Sequence, residues 1–83
     1  MEYVYKPKGV CSSEIKFSII DNKLFNVSFR GGCNGNLKAI SKLIDGCDAS
    51  AIAEKLSGNT CGWRSTSCAD QLSIAIKQAL NRQ

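Results

Sequence analysis

Phe25-Asn26-Val27-Ser28-Phe29-Arg30-Gly31-Gly32-Cys33-Asn34-Gly35-Asn36-Leu37 changes period in its middle. Up to Arg30, apolar Phe25, Val27 and Phe29 alternate with Asn26, Ser28 and Arg30, the pattern of a strand with one buried face. Beyond it, Leu37, Ile40, Leu43 and Ile44 recur at steps of three and four, the pattern of an amphipathic helix. Between the two, Gly31, Gly32 and Gly35 permit positive φ and leave little bulk over the turn. Asn34 or Asn36 is placed to cap the helix, so that unpaired backbone N–H groups point outward beside the Cys33 thiol. This elbow combines an anion nest built on Gly31, Gly32, Asn34, Gly35 and Asn36 with a sulfur, and Lys38 or Arg64 could assist it. Against a nucleotide site, it has neither the Walker lysine pattern nor a dinucleotide fingerprint, and a tight turn that packs helix on sheet explains the same glycines.

Working outward toward the N-terminus, Ile15, Phe17 and Ile19 alternate with Lys16 and Ser18, which predicts a strand from Glu14 to Ile20. Asp21-Asn22-Lys23 is turn chemistry, and Leu24 to Arg30 returns antiparallel to the first strand. Tyr3-Val4-Tyr5 is a further short strand, ended by Lys6-Pro7-Lys8-Gly9 because proline cannot donate to a central ladder. Ser12-Ser13 reads as a break. A bare hairpin is marginal in water, so helices must cover its apolar face. The first runs from Asn36 to Ile44 and stops at Gly46. A second starts at Asp48 or Ser50, carries Ala49, Ile52, Ala53 and Leu56 on one stripe, and ends at Gly58. The third runs from Cys68 to Asn81 and buries Leu72, Ala75, Ile76, Ala79 and Leu80, with Ser67 and Asp70 arranged as a capping box. The fold expected is α+β, a single domain over residues 1–83 in which a small antiparallel sheet is covered on one face by helices.

A chain of 83 residues buries only ~60–65% of its unfolded surface, and domains of this size lean on metal, disulfides or a partner chain. A small sheet whose edges need protection makes a homodimer an expectation. No apolar run approaches the ~20 residues of a membrane span, and Met1-Glu2-Tyr3-Val4-Tyr5-Lys6 is no signal peptide. A cytoplasmic location with reduced cysteines is therefore expected, without a disulfide framework and without a membrane partner. The net charge is +4, but the lysines are scattered and no dense basic run marks a nucleic-acid arm. They read as a solvated surface, with a phosphate-bearing partner such as a nucleotide left open. The chain has no histidine, which removes imidazole bases and ligands, so any metal site is built from sulfur with or without carboxylate.

The five cysteines differ in setting. Cys33 and Cys68 each start a helix, where the dipole and free N–H groups favour a thiolate. Cys61 lies across a loop from Cys68, Cys11 precedes the hairpin, and Cys47 comes directly after a helix-ending glycine. Cys11, Cys33, Cys61 and Cys68 gathered at one end would suit tetrahedral zinc, with Zn–S near ~2.3 Å. No C-x-x-C pair occurs, which argues against a zinc finger and against a thioredoxin-like motif. Ordinary buried or surface thiols, and redox chemistry with Cys61 resolving Cys33 or Cys68, remain open. Trp63 beside Arg64 either stacks a base or covers the end of the core.

Thr66-Ser67-Cys68-Ala69-Asp70-Gln71-Leu72 resembles the motif that names the TSCPD domain, with alanine where that name has proline. Gly31-Gly32-Cys33-Asn34-Gly35-Asn36-Leu37 resembles the glycine-rich stretch of the family, and Lys42-Leu43-Ile44-Asp45-Gly46 resembles the segment next to it. Cys11 and Cys61-Gly62 occupy matching places, whereas Cys47 belongs to no motif. The resemblance spans nearly the whole chain. Alanine at position 69 is tolerable, because proline in a first turn gives up only an N–H without an intrahelical partner and alanine is a good helix former. TSCPD domains stand at the C-terminus of adenosylcobalamin-dependent ribonucleotide reductases and also as small separate proteins. The resemblance therefore implies an accessory or interaction module whose cysteines bind metal or assist a ribonucleotide reductase. It does not imply a complete enzyme, since a reductase needs a large barrel, a nucleotide site and a cobalamin site. Any link to ribonucleoside-diphosphate reductase or DNA biosynthesis is inherited from the tail domain.

Overall fold

Asp21 and Asn22 both take positive φ, 52° and 64°, the backbone of a two-residue primed turn. They set the register of the hairpin on which the rest of the chain packs. A computed structural model describes residues 2–7, 9–10, 12–31, 34–58 and 66–81, with backbone alone at 34–36. Its order is β1 (Glu2–Tyr5), β2 (Ser12–Ile20), β3 (Lys23–Gly31), α1 (Asn34–Ile44), α2 (Ala49–Leu56) and α3 (Cys68–Asn81). The three strands form one antiparallel sheet in the order β1-β2-β3. The chain thus has the α+β class expected of it, and Tyr3-Val4-Tyr5 is indeed a strand.

The register carries two irregularities that alternation alone does not reveal. Ser12 pairs with Gly31 while Glu14 pairs with Arg30, so Ser13 is an extra residue in β2. Ser12-Ser13 is therefore the bulged beginning of the strand and not a break before it. In β3, Ser28 pairs with Lys16 but Phe25 pairs with Ser18, so the extra residue falls at Asn26 and Val27. Asn26 adopts φ 55°, and its N–H donates to Asp45 Oδ1 at 3.0 Å. This bulge reverses the facing of everything before it. Leu24 and Val27 are buried, whereas Phe25, expected on the apolar face, lies opposite Ser18 and is only partly covered.

Ile15, Phe17, Leu24, Leu72 and Ile76 are all at most 1% exposed and form the centre of the core. Ile19, Val27 and Ile44 join them, as do the small residues Ala49, Ala53, Ala75 and Ala79, which let α2 and α3 approach closely. Tyr3 stacks on Phe17 with ring centroids 5.5 Å apart, fastening β1 to the sheet. Leu43, placed on the apolar stripe by its spacing, is 77% exposed. At about 100° per residue it stands ~120° around α1 from Leu37, and the narrower line of Leu37, Ile40 and Ile44 makes the contact with the core.

Gly46, with φ +80°, ends α1 in the left-handed conformation that side chains resist. The chain then pairs with the outer edge of β3: Leu24 N–H donates to Cys47 O and Gly46 N–H to Leu24 O. Asp48 caps α2, accepting from Ala51 N–H at 2.9 Å. The end of the β3 edge nearest the turn is closed in this way against chance pairing.

Candidate functional site

Thr66-Ser67-Cys68-Ala69-Asp70 forms the entry to α3, and four of its five residues are consumed by holding that entry in place. Ser67 Oγ accepts from Asp70 N–H at 3.1 Å, the capping half of the expected box. The Asp70 carboxylate accepts from Thr66 Oγ1–H at 2.5 Å and from Gly58 N–H at 2.7 Å, tying the end of α2 to the start of α3. The Thr66 hydroxyl, then the Gly58 N–H, holds the Asp70 carboxyl below its ordinary value; partial burial opposes this, and Lys77 adds a smaller pull. Negative charge in the first turn also suits the helix dipole. Gln71 extends the network, donating from Nε2 to Thr66 Oγ1 at 3.0 Å and accepting from Tyr5 O–H at 3.3 Å. Ala69 is buried. Cys68 is the motif residue left for other work.

Cys68 is the first residue of α3 and is half-buried. Its sulfur lies 3.1 Å from the hydroxyl of Ser12, a residue only 3% exposed at the start of β2. Ser12 is in register with Gly31 at the end of β3. The loop from β1 comes to the same place: Gly9 has φ +71°, and a Cβ there would stand 3.4 Å from Thr66 Cγ2. One pole of the molecule therefore collects the start of β2, the end of β3, the β1–β2 loop and the N-terminus of α3. Spacing and motif do not mark Ser12 as part of this pole; its one sequence signal is a position directly after Cys11.

Cys11, Cys33, Cys61 and Gly32 of the expected sites lie outside the described residues, as do Trp63 and Arg64. Of the expected sulfur ligands, Cys68 is described. Among the described residues no three cysteine or carboxylate side chains come together as a metal site. Cys47, which belongs to no motif, donates its S–H to Leu43 O at 3.6 Å. Its backbone meets Leu24, opposite Ile19, at the far end of β2 from Ser12. Gly31 closes β3 with φ +78°. Asn34, Gly35 and Asn36 form the first turn of α1, so neither asparagine precedes the helix as a cap. Their backbone N–H groups belong to the set that has no intrahelical partner. Lys38 is exposed on the next turn.

None of the helices among the described residues is long and apolar enough to cross a membrane. No curated protein and no solved structure matches the chain. The family model of the TSCPD domain matches residues 3–80, a span that includes all four cysteines singled out above and the knot of hydrogen bonds around Asp70. The chain belongs to the TSCPD domain family.

Proposed function

We propose that this protein is an accessory or interaction module in which Cys11, Cys33, Cys61 and Cys68 hold one structural zinc ion. The observation that carries the reading is the Ser12–Cys68 contact of 3.1 Å, because Ser12 is one peptide unit from Cys11. Two further connections support it. Gly31, in register with Ser12, precedes Cys33 by two residues. Gly58, bonded to Asp70, precedes Cys61 by three, and Asp70 itself is two residues beyond Cys68. With about 3.8 Å per peptide unit, three separate segments are tethered within short reach of the Cys68 sulfur. The donor set fits the metal: four thiolates without histidine are a known closed, structural coordination for zinc. Bound there, zinc would supply cross-linking of four chain segments in a core too small to be comfortable.

Elemental analysis of protein purified without chelator tests the reading. About one zinc per chain is expected for the wild type and for Cys47→Ser, and weakened or lost zinc for Cys68→Ser, with circular dichroism reporting whether each variant folds. Zinc well below one equivalent in the reduced, folded wild type overturns it. A mass loss showing a disulfide among the same cysteines in that zinc-free protein would favour thiol-redox partnership with a reductase instead.

A further inference from the structure

We infer that the outer edge of β3, together with the groove between it and α1, docks an extended acidic segment of a partner protein as an added strand. The groove, about 290 Å³, is floored by Val27, Phe29 and Leu37 and rimmed by Lys38 and Lys42. Both lysines are exposed, and neither takes part in an ion pair among the described residues. They stand four residues apart on one helix face, about 6 Å apart at their bases.

Among the described residues, the backbone beside the groove is open for pairing. Leu24 sends both its N–H and its C=O outward, away from β2. Residues of an antiparallel ladder alternate between bonding one neighbour and facing the other side. Leu24 with Ile19 is therefore a pair that exchanges no bonds, whereas Ser18 with Phe25, Lys16 with Ser28, and Glu14 with Arg30 do. Phe29, opposite Ile15, then turns its N–H and C=O to the outer edge, and they meet no partner there among the described residues. Closer to the turn the same edge is closed by Gly46, Cys47 and the Asp45 carboxylate. The open stretch is thus bounded. An added strand anchored on Phe29 points every second side chain toward α1. An apolar side chain fills the groove floor, and carboxylates meet Lys38 and Lys42. Charge decides the occupant: an unpaired lysine pair over an apolar floor selects an acidic strand over a basic one.

The test is a titration of ¹⁵N-labelled protein with the capped peptide Asp-Ser-Val-Ser-Asp, whose first, third and fifth residues share a face. At about 1 mM peptide, amide shifts are expected at Phe29 and along Leu37 to Lys42. Lys38→Gln and Lys42→Gln, both at exposed positions, should each weaken binding about two- to fivefold. A peptide N-methylated at alternate amides keeps its side chains but loses its edge bonds, and should not bind. The proposal is overturned by an absence of shifts, by equal shifts with Lys-Ser-Val-Ser-Lys, or by undiminished binding of the N-methylated peptide.

Discussion

Asp70→Asn isolates the knot at the start of α3. The carboxylate accepts two hydrogen bonds, from Thr66 Oγ1–H and Gly58 N–H; asparagine keeps one acceptor oxygen and turns an N–H₂ toward the other donor. Losing one charge-assisted bond, weakening a second and removing a favourable dipole charge should together cost about 2 kcal/mol at pH 7. For a domain of this size that lowers Tm by about 10 °C. The pH dependence is set by the direction of the Asp70 shift. Its folded pKa is depressed, so the stabilisation is complete above the ordinary aspartate value near ~3.9. It is lost as pH falls through the lower folded value. Urea denaturation of wild type and variant, followed by circular dichroism from pH 7 to pH 2.5, should show a gap that closes only at the acid end. A loss under about 0.5 kcal/mol, or a gap that persists unchanged at pH 2.5, refutes the assignment of the carboxylate as the tie.

Leu72 is fully buried, and Leu72→Ala should cost about 2–5 kcal/mol in urea denaturation. Leu43→Lys, at a position 77% exposed, should change stability by less than about 0.5 kcal/mol; a larger loss would mean that α1 contacts the core through a different face. Asp45→Ala removes the acceptor for the Asn26 N–H and should cost about 1 kcal/mol. Asn26→Gly, which relieves a positive φ of 55°, should cost little or stabilise slightly, with thermal denaturation as the readout.

Helices were readily legible because each carries its own punctuation. Gly46 stops α1 through its own positive φ, while Asp48 starts α2 and Ser67 starts α3 by accepting from the N–H three residues on. Strand facing was legible in β2, where Ile15, Phe17 and Ile19 do alternate inward. It was not legible in β3, because Asn26 inserts an extra residue, and the carboxylate that stabilises this insertion comes from Asp45, nineteen residues later. The same limit applies to the site. Thr66, Ser67, Cys68 and Asp70 are visible as a motif in one dimension. The burial of Ser12 against Cys68, and the line from Tyr5 through Gln71 to Thr66, join residues separated by most of the chain. Period and spacing contain no information about such pairs.

The proposed site would hold one zinc ion between the sulfurs of Cys11, Cys33, Cys61 and Cys68. X-ray absorption at the zinc edge, on protein purified without chelator, addresses it most directly. A single shell of four sulfur scatterers at about 2.3 Å is expected, reduced to three in a folded Cys68→Ser variant that still retains metal. A shell dominated by oxygen or nitrogen, or the same four-sulfur shell after Cys68 is replaced, would contradict it.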